Sequence, residues 1–139
     1  MEIRILRPGD ETVLVRAVEL TDEGALTAAR AAAHLSDADL VCVAAIKHAA
    51  VVGFVYGHVL RRFEATSFFI YSIDVAEGHR RRGVARAMIE TLRDEGRAGR
   101  WDEMFVLTNA SNPAAMALYA SAGGVIPEPR DVVMFDFED

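Results

Sequence analysis

The sequence predicts one domain over residues 1–139 with a mixed α/β (α+β) fold: helices near the start, antiparallel strands, then a βαβαβ unit. Three observations carry that prediction. Apolar runs at residues 40–46, 51–60 and 67–75 succeed one another across short polar connections, as consecutive antiparallel strands do. After them Val84, Ala85, Met88, Ile89 and Leu92 form one apolar stripe at helical spacing, with Arg86, Glu90, Arg93, Asp94 and Arg97 opposite, so this helix packs one face on a sheet. Further apolar runs at 103–107 and 131–137 flank a second helix, which completes the alternation.

In chain order, Ile3 and Ile5 alternate with Glu2 and Arg4 in a first strand that Pro8-Gly9 stops. Asp10 is placed to cap a helix carrying Val13, Leu14, Ala17 and Val18, and Asp22 to cap a second with Leu26, Ala29, Arg30 and Ala33. A turn around residues 47–50 makes the next two strands a hairpin, and Gly53 and Gly57 in the second of them mark a bulge or a close approach. Gly96 and Gly99 read as the end of the amphipathic helix. The strand at 103–107 is parallel to the one at 67–75 if the helix between them is a right-handed crossover. Asn112-Pro113 starts the next helix, which carries Ala115, Met116, Leu118, Tyr119 and Ala122 and stops at Gly123-Gly124. The run at 131–137 is the final strand.

Composition narrows the function. With 52% hydrophobic and 26% charged residues the chain suits a folded enzyme or binding domain. No apolar run approaches the roughly 20 residues of a membrane span, and the N-terminus lacks the pattern of a signal peptide, so a cytoplasmic protein is expected. The lone Cys42 reads as a buried small apolar residue. A net charge of −6 with Arg80, Arg81, Arg82 and Arg86 gathered in one place argues against nucleic acid and for a local anion site, with a cationic partner elsewhere.

That anion site is the stretch 78–86, between a strand and a helix. A helix start exposes unpaired N–H groups and the positive end of its dipole, and Gly83 lets a phosphate approach without meeting a Cβ. Its ligand is expected to be a pyrophosphate. Asp74, in an otherwise apolar strand, either pairs with nearby backbone or accepts a substrate proton; Glu64 and Asp136 are candidates for binding a cation. His34, His48, His58 and His79 have no metal-ligand spacing, and no nucleophile and histidine set suggests a covalent acyl-enzyme.

The segment Arg80-Arg81-Arg82-Gly83-Val84-Ala85, lying between strand and helix and followed by the helix from Asn112 to Tyr119, resembles the signature of the GNAT superfamily of acetyl-CoA-dependent N-acetyltransferases. Within it the chain is most similar to small aminoglycoside 3-N-acetyltransferases, through residues 50–53, residues 59–64, Ile70-Tyr71, residues 78–81, Ala117-Leu118-Tyr119 and residues 133–137. It departs from them in two places. Ser72 stands where those enzymes carry an acidic residue, with Asp74 two positions on, and the connection at 123–130 is longer. The resemblance implies acetyl-CoA (CoA after transfer) as co-substrate without a metal. Ile73 and Val75 would then pair with the pantetheine arm, and Arg81, Arg82, Gly83, Val84, Ala85 and Arg86 would hold the pyrophosphate, with Arg80 opening the motif. Asn112 would lie near the sulfur and Tyr119 would protonate the departing thiolate. The acceptor is expected to be a cationic small-molecule amine, an aminoglycoside-like polyamine that attacks the thioester directly, near Glu64, Tyr71, Ser72, Asp74 and Asp136. Other readings are a different small amine, a peptide N-terminus or a lysine, or a CoA sensor without turnover. A homodimer is possible.

Overall fold

The long apolar runs find one another across tight turns. A computed structural model describes residues 1–138. In it β1 (Glu2–Ile5), β2 (Leu40–Lys47), β3 (Ala50–Arg61), β4 (Thr66–Val75) and β5 (Glu103–Val106) form one sheet in that order. β1 to β4 are antiparallel neighbours, while β5 runs parallel to β4. His48 and Ala49, with φ of 51° and 63°, make the two-residue turn that joins β2 to β3.

Alternation along the strands sends side chains to two cores. On one face Val43, Val55 and Phe68 pack under Met88 and Leu92 of α3 (Val84–Gly99), all five fully buried. On the other, Cys42, Ala44 and Phe54 meet Leu14 and Ala17 of α1 (Glu11–Val18) and Ala31 of α2 (Ala28–Leu35). Burial pushes the Cys42 thiol up to about 12, which leaves it uncharged and unreactive. α4 (Pro113–Ser121) follows β5. Among the described residues no helix is long and apolar enough to cross a membrane.

The two strand glycines serve different contacts. A Cβ on Gly53 would lie 2.8 Å from the Val84 side chain, so the start of α3 rests directly on β3. On Gly57 it would lie 2.1 Å from the Phe69 carbonyl oxygen. There the register slips: Tyr56 faces Ser72 but Gly57 faces Ile70, which leaves Tyr71 as an extra residue bulged out of β4.

Four details differ from the sequence expectation. Asp10 does not cap α1 with its side chain; its carboxylate instead accepts the Arg7 backbone N–H and an Arg4 N–H. Thr27, not Asp22, caps α2, accepting the Arg30 N–H at 3.2 Å. Helix α3 runs through Gly96, where a Cβ would stand only 2.7 Å from the Trp101 ring, so its absence makes room for that ring, which stacks on Phe68 at 4.2 Å. The final strand at 131–137 does not form: Val132, Val133, Met134, Phe135 and Phe137 are 71–93% exposed and beside no ladder partner. Side-chain alternation reports which way residues point; a strand also needs a neighbour for its N–H and C=O groups.

Candidate functional site

β4 has two unlike halves. Ser67 to Ile70 pair with β3 on one side and with Glu103 to Val106 of β5 on the other. Beyond Ile70 the β5 ladder has ended, while β3 continues as far as Val75. The Ala76 N–H donates to the Val52 carbonyl at 2.8 Å, so by alternation the N–H and C=O groups of Val75 and Ile73 point away from β3, into the opening. One of them is engaged: the Val75 carbonyl accepts the Arg80 Nε–H at 3.0 Å.

The chain then enters α3 through a tight turn. Gly78, Arg81 and Gly83 adopt left-handed φ of 74°, 62° and 78°. Gly83 is the N-cap residue and has no side chain to satisfy the first N–H groups of α3; the first helical bond runs from the Ala87 N–H to the Gly83 carbonyl. Nothing lies within 4 Å of where a Gly83 Cβ would stand. This is an open cradle of free N–H groups at a positive helix end, with Arg82 and Arg86 also exposed beside it. Val84 is buried against Gly53, which fixes the cradle to the sheet, and Ala85 follows it half-buried. The residues present fit a pyrophosphate.

Polar chemistry gathers on the other face of β4. Asp74 is half-buried, and its carboxyl holds a proton more tightly than usual, first because burial penalises its charge and further because Asp22 and Glu23 are near. The Ser72 hydroxyl donates to it at 2.9 Å and Arg80 faces it, both opposing that rise. Tyr119 of α4 is half-buried, so its hydroxyl stays protonated, and the Asp74 charge strengthens that. Asn112 caps α4, its Oδ1 accepting the Ala115 N–H at 3.1 Å. Tyr71 stands exposed on its bulge with its ring 5.6 Å from that of Tyr56.

Two acceptor candidates lie apart from this group. Glu64 precedes the first residue of β4, so about nine residues of strand, roughly 30 Å, separate it from Asp74. Asp136 stands exposed in the segment that forms no strand. In their place the fold brings Asp22, Glu23 and Tyr56, with the Tyr56 hydroxyl donating to the Glu23 carboxylate. Tyr56 alternates with Phe54 and His58 in the sequence and so shares their face of the sheet; nothing local pairs it with a carboxylate 33 residues away. Among the described residues no cluster of three His, Cys, Asp or Glu is placed to hold a metal ion.

Residues 11–123 match the model of a family described as the acetyltransferase (GNAT) family. No curated protein matches the sequence. Similar solved structures span almost the whole chain. An aminoglycoside acetyltransferase, HMB0005, from an uncultured soil metagenomic sample is 27% identical with a TM-score of 0.81, covering 99% of this chain and 97% of that one. Another from such a sample, meta-AAC0020 in complex with sisomicin, is 18% identical with a TM-score of 0.88, covering 99% and 95%. AAC(6′)-Iy in complex with the bisubstrate analogue CoA-S-monomethyl-acetylneamine is 19% identical with a TM-score of 0.82, covering 99% and 97%.

Proposed function

The chain belongs to the GNAT acetyltransferase family, with acetyl-CoA as its acetyl donor, and from that premise we propose that it acetylates a primary amine of an aminoglycoside-like polycation. The observation that carries the reading is the one-sided half of β4 leading straight into the glycine cradle of α3. An extended amide-bearing arm would lie against the free groups of Ile73 and Val75, and the pyrophosphate at its far end would meet the N–H groups from Arg81 to Arg86. Arg80 holds the end of the strand through the Val75 carbonyl. Asn112 starts the helix that presents Tyr119 to the thioester.

The chemistry follows from the proton affinities. An incoming ammonium must lose a proton before it can attack, and Asp74, whose carboxyl binds protons more tightly than usual, accepts it directly or through water. The neutral nitrogen forms the C–N bond, the C–S bond breaks, and the sulfur takes the Tyr119 hydroxyl proton; the nitrogen gives up its second proton as it becomes an amide, and that proton returns through solvent to the Tyr119 oxygen. A strand N–H near Val75 would stabilise the carbonyl oxygen as negative charge develops on it. Tyr71 and Ser72 line the acceptor side. Two similar structures are named aminoglycoside acetyltransferases, and one of them holds sisomicin, which supports a polycationic aminosugar as the acceptor. A homodimer suits the exposed apolar segment at 132–137, and a cytoplasmic setting suits the donor.

A thiol-release assay with acetyl-CoA against aminoglycosides, linear polyamines and peptides tests the reading. Release is expected with aminoglycosides. Activity confined to peptides would sink the small-molecule acceptor, and tight CoA binding without turnover on any amine would make the protein a sensor.

A further inference from the structure

The Glu23 and Tyr56 pair gives or takes no proton in the acetyl transfer, yet it lies on the face of the sheet where the acceptor would arrive. Tyr56 of β3 is directly opposite Ser72, and Phe54 opposite Asp74, so all four side chains share that face. Tyr56 and Asp74 are therefore diagonal neighbours, with Cβ atoms roughly 7–8 Å apart. The Tyr56 ring is flanked by Phe54 at 5.5 Å and Tyr71 at 5.6 Å, and its hydroxyl reaches the carboxylate of Glu23. Glu23 belongs to the connection between α1 and α2, turned at Gly24 with φ of 93°, and is exposed. The pair itself lines a cavity of about 290 Å³, together with apolar Leu14, Cys42 and Phe54 and with Arg30, His34 and His58.

A phenol is a replaceable partner for a carboxylate. An ammonium donor makes a charge-assisted hydrogen bond, about twice as strong as one between neutral groups, and the faces of Tyr56 and Tyr71 favour a cation above them. We propose that Glu23 anchors a second ammonium group of the acceptor, taking it in exchange for the Tyr56 hydroxyl while the reacting amine lies at Asp74. This rests on the amine-acetylation reading. An acceptor with one ammonium leaves Glu23 bonded to Tyr56 and gains nothing from it. One with two spans from Asp74 to Glu23, so the site selects diammonium over monoammonium acceptors by its own geometry.

The test compares n-butylamine with α,ω-diamines of three to eight carbons on wild type, Glu23→Gln and Tyr56→Phe. Measured at a pH above the Asp74 acid limb, Glu23→Gln should raise the KM for the best diamine about tenfold or more, with the KM values for n-butylamine and acetyl-CoA unchanged. Tyr56→Phe leaves Glu23 without its resident partner and should lower the diamine KM. If both variants instead weaken every acceptor alike, the pair is only a clasp for the α1–α2 connection and the proposal falls, with acetyl transfer untouched. If no amine is turned over, the acetylation reading fails, and calorimetry with spermidine decides on the anchor separately: binding tenfold weaker in Glu23→Gln upholds it, and equal binding overturns it.

Discussion

The two halves of β4 belong to one continuous strand and do different work. From Ser67 to Ile70 the strand is held on both sides, Phe68 is fully buried, and its backbone groups are committed to neighbouring strands. From Tyr71 to Val75 it is held by β3 alone, beginning at a bulge, and the outward groups of Ile73 and Val75 face the opening where β5 has stopped. The first half supplies rigidity and the second supplies unpaired hydrogen-bonding groups. An open edge in a sheet invites another chain; here the opening is short, bent by the bulge and closed at one end by the α3 turn, which suits one extended ligand.

If the halves divide fold from function, substitutions at the glycines that border them must separate the two properties. Gly57 of β3 lies opposite Ile70, at the end of the doubly held half, and in Gly57→Ala the new Cβ would overlap the Phe69 backbone oxygen, which cannot move without tearing the ladder. A loss of about 3 kcal/mol or more is expected, read as a melting temperature lower by on the order of 10 °C. Gly83→Val strikes the open half. Its side chain meets no protein atom, so the fold should lose only the strain of a left-handed β-branched residue, about 1–2 kcal/mol, whereas the phosphate approach is filled. Affinity for CoA, measured by calorimetry, should fall about a hundredfold. Unchanged affinity in a folded Gly83→Val protein would remove the cradle from the α3 turn.

Tyr119→Phe sharpens the same division on the chemical side. The ring stays and only the hydroxyl goes, so CoA affinity should hold while kcat falls about ten- to a hundredfold, at or below the low end for general acid catalysis. Retained kcat would show that the thiolate leaves without this proton.

The sequence made the open half of β4 legible because its signals are local. A strand, a glycine with nothing near it, a helix start and an Asn-Pro cap all fall within a few residues of the groups they govern. Less legible was anything decided by a distant partner. Asp22 and Thr27 are both good capping residues, and the structure places the helix start after Thr27, freeing Asp22 to face Asp74. Glu64 was marked by residue type, but the direction of β4 carries it to the far end. The run at 131–137 has a strand's composition without a strand's neighbour. The Glu23 and Tyr56 pair had no signal at all, because a carboxylate in a connection and a tyrosine in a strand are each ordinary until the fold joins them.

The smallest expected change tests whether the free half of β4 also supplies the base. Burial and the charges of Asp22 and Glu23 make Asp74 release its proton at higher pH than an ordinary carboxyl group. Its working form is the carboxylate, so kcat/KM should fall as pH drops through this raised value, giving an acid limb displaced upward from that of an ordinary aspartate. Asp74→Asn should abolish that limb and lower kcat/KM by about tenfold at neutral pH. Unfolding would not explain the loss: a carboxyl whose folded pKa is raised opposes folding above that pKa, so the neutral amide should leave thermal stability at pH 7 equal or slightly higher. Glu23→Gln provides the graded version. It removes one of the charges that raise Asp74 and keeps the base, so the limb should persist and move to lower pH; a limb that stays in place in Glu23→Gln and survives in Asp74→Asn belongs to another group.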